Sequence, residues 1–213
     1  MRVLIVGATG NVGRITIDKA LEAGHHVTAF ARSAEKIALN DERLQKFQGD
    51  VMNAASVETA MAEQEAVITV FGAPVNWSTL INVPNLCTVG TKNIIKAMSN
   101  YGIKRLVCMT GIGAGDSRGH GRSIFSNFIY PVLLGRIYED KNRQEKEVMA
   151  SNLDWIIVRP TEFTNDSSSG DYRIITKLDG KRAETISRAD VADFLVKQVD
   201  SDRYLHQTPL ITQ

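Results

Sequence analysis

Gly7-Ala8-Thr9-Gly10-Asn11-Val12-Gly13 stands between an apolar run, Arg2-Val3-Leu4-Ile5-Val6, and a stretch whose apolar residues recur at helical spacing. A glycine triplet alone is common, but one set directly between a strand and a helix is the arrangement that cradles a dinucleotide pyrophosphate. Gly7 permits the tight turn, Gly10 lets the backbone approach the pyrophosphate, and Gly13 lets the helix pack against the strand. Free amides at the helix start, together with the positive end of its dipole, complement phosphate. Thr9, Asn11 and Val12 belong to the same candidate site. The bland alternative is a structural turn that holds nothing.

A second chemical signal lies at the end of the next strand, roughly 20 residues beyond Gly13, where dinucleotide sites for NAD place a carboxylate on the ribose 2′-hydroxyl. Here the residues are Phe30-Ala31-Arg32-Ser33, with no carboxylate. A guanidinium at that point pairs with a 2′-phosphate and stacks on adenine. The expected cofactor is therefore NADP(H), with Arg32 as the discriminating residue; a solvated arginine after a strand is the alternative.

These residues need a framework, and the sequence supplies one. Short apolar runs alternate with helical patterns, the signature of a parallel sheet with crossover helices. Strands are expected at 2–6, 26–31, 44–48, 66–71, 105–110 and 155–160, with an edge strand at 172–177 and a last strand at 209–211. Helices are expected after the glycine loop as far as Gly24, at 56–62, 86–100 and 138–150, and from about Arg188 to Val199 behind a Ser187 cap. Gly111 to Gly121 holds five glycines and reads as a flexible loop of the kind that borders binding sites. The fold class is α/β: a single Rossmann domain over 1–213, with a doubly wound, mostly parallel sheet and a small C-terminal extension on the substrate side.

Composition removes several function classes. The 213 residues are 43% hydrophobic and 23% charged with a net charge of +1, which disfavours disorder and gives no field for nucleic acid or an acidic membrane surface. Cys87 and Cys108 sit in apolar contexts at a spacing that matches no metal site, so no metal is expected. His120 has no second ligand nearby and reads as solvent-exposed. A strand starting by residue 3 leaves no room for a signal peptide, and no apolar run is long enough to span a bilayer. A soluble cytoplasmic protein, monomer or homodimer, is the expectation.

Several of these segments together carry a family resemblance: the Gly-Ala-Thr-Gly-x-x-Gly loop, Arg32, Gly49-Asp50-Val51, Val158-Arg159-Pro160 and Ile186-Ser187-Arg188-Ala189-Asp190-Val191-Ala192. They resemble an atypical short-chain dehydrogenase/reductase, and within that group the biliverdin reductase B and flavin reductase type with its NmrA-like relatives. The resemblance covers almost the whole chain, including Leu178-Asp179-Gly180. It implies that Asp50 and Val51 flank the adenine, that Phe71 and Gly72 pass beneath its ribose, and that Met109, Thr110, Pro160 and Thr161 line the nicotinamide. All of these fall at carboxyl ends of expected parallel strands, where open α/β sheets bind ligands.

The resemblance also frames the catalytic candidates. Classical members of the superfamily pair a tyrosine with a lysine four residues on, which lowers the tyrosine pKa so that it can deliver a proton. Tyr138-Glu139-Asp140-Lys141 is one residue short of that spacing, although i and i+3 still share a helix face. Lys141 fits the family position that touches the nicotinamide ribose. The upstream serine is absent, since Thr110 is followed by Gly111, and Glu162 stands where the bilin reductases have histidine. Glu162 is a candidate proton donor if its pocket is apolar. Phe71, Trp77, Phe125, Phe128, Tyr130 and Phe163 are candidates to stack on a planar substrate. Three functions stay open: an NADPH-dependent reductase of a planar acceptor (flavin, quinone or bilin-like), a non-catalytic NmrA-like NADP(H) sensor with a protein partner, and a sugar-nucleotide epimerase. The last is disfavoured by the short chain.

Overall fold

The structure is a computed structural model that describes residues 1–73, 85–117, 134–178 and 183–213. The described elements run β1 (Arg2–Val6), α1 (Asn11–Glu22), β2 (His26–Ala31), β3 (Leu44–Gln48), α2 (Ala54–Ala60), β4 (Ala66–Thr69), α3 (Leu86–Tyr101), β5 (Arg105–Met109), α4 (Gly135–Met149), β6 (Asp154–Pro160), β7 (Glu162–Thr164), β8 (Arg173–Ile175), β9 (Thr185–Ser187), α5 (Arg188–Lys197) and β10 (Leu210–Thr212). Eight strands form one sheet in the order β3-β2-β1-β4-β5-β6-β10-β8. Every pairing in it is parallel except β10 with β8.

The alternation within β1 shows how the sheet is buried. Val3 and Ile5 face a core shared with α1 and α5, while Leu4 and Val6 face one shared with α2, α3 and α4; all four are at most 2% exposed. A strand covered on both faces reads as continuous apolar sequence because both of its faces are dry. The order reverses on either side of β1, where β2 and β4 flank it. That is the switch point at which open α/β sheets form a ligand crevice beyond the strands' carboxyl ends. This is the Rossmann fold expected from the sequence, with β7 to β10 as the C-terminal extension.

Element boundaries moved where a side chain decides them. α2 begins at Ala54 rather than at residue 56, because the Asn53 side chain accepts from the amides of Ala55 and Ser56. α4 begins at Gly135 rather than 138, with Ile137 buried in its first turn. β4 leaves the sheet after Thr69 instead of continuing to Phe71, whose backbone turns in against the glycine loop. The edge strand shortens to Arg173–Ile175, and α5 ends at Lys197, where Gln198 turns back to Phe194 O. A short parallel pair, β7 with β9, was not expected at all. Trp77, His120, Phe125, Phe128, Tyr130, Asp179 and Gly180 lie outside the described residues. Among the described residues no helix is long and apolar enough to cross a membrane, and no group of three or more His, Cys, Asp or Glu is placed to hold a metal.

Candidate functional site

The glycine loop turns between β1 and α1 on the strength of two missing side chains. Gly7 has φ +93°, and a Cβ there would stand 2.8 Å from Phe71 N. At Gly13 a Cβ would meet Gly7 O at 2.3 Å, so only glycine lets the first turn of α1 lie so close beneath the loop. Gly10 N closes the turn on Gly7 O at 3.0 Å, and Gly7 N donates to Phe30 O at 3.1 Å. Asn11 is exposed at the helix start, whereas the Val12 side chain is buried in the core and offers only backbone to the loop.

A cavity of about 230 Å³ opens above this loop. It is lined by Gly7, Thr9, Gly10, Arg32, Asp50, Val51, Phe71 and Gly72 among the residues expected from sequence, joined by Phe30, Val70 and Leu86. Its walls are apolar side chains and glycine backbone together with Thr9 and Asp50, and Arg32 is the one cation among these lining residues. The Arg32 guanidinium is exposed, and among the described residues no carboxylate pairs with it. The Asp50 carboxylate accepts from Met52 N at 2.9 Å, a local turn bond. α3 steadies this wall through Asn93, whose Nδ2 donates to Val51 O at 2.9 Å, and through Gly90, where a Cβ would strike Val51 Cγ2 at 2.8 Å.

The remaining candidates sit along the same carboxyl edge of the sheet but outside that cavity. Met109 and Thr110 end β5, and Pro160 and Thr161 end β6; Ile112 N donates to Pro160 O at 2.9 Å and ties the two turns together. Thr161 is 4% exposed and among the described residues its Oγ1 has no partner, an orphaned hydroxyl at the end of a central strand. Lys141 and Tyr138 reach different strand ends. Lys141 Nζ lies 3.9 Å from where a Gly72 Cβ would be, at the cavity mouth, and the Tyr138 ring packs on the Gly113 backbone. Glu162 is half-buried at the start of β7, opposite Thr185 of β9.

Thr110 departs from a simple lining role. Its hydroxyl donates inward to Glu145 Oε1 at 2.7 Å, so its only proton is committed away from the crevice. Glu145 in turn accepts from Arg159 Nε at 2.9 Å and Nη2 at 2.7 Å, both residues being 2% exposed. Arg159 Nη1 also donates to Asp116, which draws the 115–117 turn against β6. Burial pulls the Arg159 pKa down, but Glu145 and Asp116 more than restore it and leave it raised. Asp140, fully buried on α4, accepts from Cys87 N at 2.8 Å, Thr88 N at 3.0 Å and Thr88 Oγ1 at 2.6 Å. It caps α3 from another helix, where the local N-cap residue Asn85 makes no side-chain bond. Burial raises both cysteine pKa values, that of Cys108 to about 12, so neither thiol is reactive.

Sequence reasoning passed over Asp140, Gln144 and Glu145 as part of a charged helix. The signal was present: with Ile137 and Val148 they fall on one helical stripe, buried throughout, with polar residues in the places apolar ones usually take.

Comparison with known proteins fits this geometry. UPF0659 protein YMR090W of Saccharomyces cerevisiae is 27% identical over 206 residues, covering 93% of this chain and 87% of that protein. Among solved structures, ChuY, described as an anaerobillin reductase from Escherichia coli O157:H7, superposes with a TM-score of 0.81 at 23% identity, over 100% of this chain and 97% of that one. A wide-type short-chain dehydrogenase/reductase from Veillonella parvula, solved in complex with NADP, gives 0.81 at 19% identity over 100% and 94%. At those identities the structural likeness speaks for the fold. The family model described as NAD(P)H-binding matches residues 7–202, from the first glycine of the loop to beyond α5, and the chain belongs to that NAD(P)H-binding family.

Proposed function

We propose that the protein is an NADPH-dependent reductase that passes a hydride to a planar acceptor such as a flavin, a quinone or a bilin-like tetrapyrrole. The observation that carries the cofactor half is Arg32: a guanidinium without a carboxylate partner among the described residues, on the rim of a cavity floored by the glycine loop. A bound NADPH supplies the hydride. The chain's own groups then have separate tasks. Gly7, Gly10 and Gly13 clear the backbone for the pyrophosphate, and Arg32 meets the 2′-phosphate. Val51, Phe71 and Leu86 wall the adenosine. Lys141, at the cavity mouth beside Gly72, holds the second ribose, and the orphaned Thr161 hydroxyl faces the nicotinamide end. Orientation and exclusion of water are the protein's main contribution to hydride transfer. Among the described residues Tyr138 is a candidate proton donor along this edge, and Glu162 is another if its pocket is apolar.

Arg32→Glu tests the cofactor assignment. A charge-assisted, bidentate contact is replaced by repulsion, so NADPH affinity should fall by at least roughly tenfold, about 1.4 kcal/mol, with NADH less affected. Unchanged NADPH binding would remove the basis for the assignment. Steady NADPH oxidation with FMN, FAD or a quinone tests the reductase, and no turnover across such a panel would count against it.

One observation favours a second reading, the NmrA-like NADP(H) sensor. Gly111 stands at the position where superfamily enzymes carry serine, and the neighbouring Thr110 spends its proton on Glu145. A sensor would bind NADPH and NADP⁺ without turnover and release a partner protein in one redox state. For either reading we place the protein in the cytoplasm as one domain, monomeric or homodimeric, without a nucleic-acid or membrane partner.

A further inference from the structure

The segment after β6 is fastened from one side by the first turn of α5. Asp190, fully buried, accepts from Ser168 Oγ at 2.6 Å, Gly170 N at 3.0 Å, Ser169 Oγ at 3.1 Å and Ser187 Oγ at 2.8 Å. Arg188 fastens the earlier half: its Nη1 donates to Thr164 O at 3.0 Å and to Asn165 Oδ1 at 2.6 Å. Directly ahead of these anchors, in β7, Phe163 is held 38% exposed, with the Arg188 guanidinium 5.1 Å from its ring centroid.

Two features of this pair are unexplained by packing. A large aromatic ring stays open to solvent three residues beyond the end of a central strand, on the edge where the crevice lies. Arg188 is half-buried, yet among the described residues no carboxylate lies within salt-bridge distance, and its Nε and Nη2 make no bond. A partly dehydrated charge is costly without a counter-charge, and the aromatic face beneath it is itself a stacking surface.

We propose that Phe163 and Arg188 form the acceptor platform: the ring takes a planar aromatic ligand and the free guanidinium donors take a carboxylate or phosphate carried by it. This rests on the reductase reading and narrows its acceptor to planar rings with an anionic arm. Asp190 acts on the platform only as a positioning residue, by fixing the segment that presents Phe163.

Calorimetric titration of FMN and riboflavin into protein saturated with NADP⁺ separates ring from charge. Wild type should bind FMN about tenfold more tightly than riboflavin, a difference of about 1.4 kcal/mol. Arg188→Met should bring FMN down to the riboflavin level, and Phe163→Ala should weaken both, with NADP⁺ affinity unchanged as the sign that each variant is folded. Equal affinity for FMN and riboflavin in wild type, or an FMN preference that survives Arg188→Met, would overturn the platform. Where Arg188→Met fails to fold, Phe163→Ala decides, because the Nη1 tether is kept; unchanged affinity for both flavins overturns the proposal. Flavin binding without NADPH oxidation would preserve the platform and count only against the reductase.

Discussion

Arg159→Met at neutral pH removes the cation from a cluster in which Thr110, Glu145 and Arg159 are buried and Asp116 reaches solvent. Among the described residues Glu145 would keep only the Thr110 hydroxyl as a donor, losing bonds of 2.9 and 2.7 Å from Arg159. Stranding one partner of a buried pair costs about 3–5 kcal/mol, far more than the pair itself contributes relative to apolar replacements. For a chain of this size each kcal/mol shifts the melting temperature by about 2–4 °C, so a fall of roughly 6–20 °C is expected by scanning calorimetry. Adding Glu145→Gln removes the stranded charge while leaving an acceptor for Thr110, and the double variant should recover more than half of the loss. A loss below about 1 kcal/mol, or additive effects of the two substitutions, would refute the view that this buried pair holds the turn after β5 to β6.

Three further outcomes follow from the geometry. Asp190 has its pKa held at about 2: burial alone would raise it, and the bonds from Ser168, Gly170, Ser187 and Ser169 outweigh that, against 3.8 unperturbed. Because the folded value is the lower one, its contribution of about 2 kcal/mol is complete above pH 4 and lost as pH falls through 2. Urea unfolding of wild type and Asp190→Asn from pH 5 to 2 should therefore converge, and a constant gap would contradict the assignment. Gly13→Ala drives a Cβ to 2.3 Å from Gly7 O, so the loop must yield by about 1 Å to restore ordinary contact. A stability loss of about 1–3 kcal/mol with weakened NADPH binding is expected, and an unperturbed titration would count against the loop as the phosphate site. Asp140→Ala leaves the Cys87 and Thr88 amides unpaired at the head of α3, costing about 2–4 kcal/mol in denaturant titration, with Asp140→Asn intermediate; a loss under about 1 kcal/mol would mean another group caps the helix.

Local pattern made much of this protein legible. Central strands such as β1 announce themselves because both faces are dry. The glycine loop does so because a tight turn with a positive φ and an unhindered helix start leaves few residue choices at Gly7 and Gly13. Arg32 was legible from its place at the end of β2, whereas Asp50, Val51, Phe71 and Gly72 came from the family resemblance, which sets them at carboxyl ends of strands; all five line one cavity. The tertiary structure decided what no window of sequence contains. Asp140 meets Thr88, and Glu145 meets Arg159 and Thr110, only because α4 lies across α3 and β6. Buried charges read as surface charges until a partner distant in sequence is known. The three-residue strands β7 and β9 have too little local preference to be seen alone; their pairing supplies it. Thr110 shows the division most plainly: sequence placed its backbone at the crevice, and packing turned its hydroxyl toward Glu145, because a carboxylate in a dry interior must collect every donor within reach.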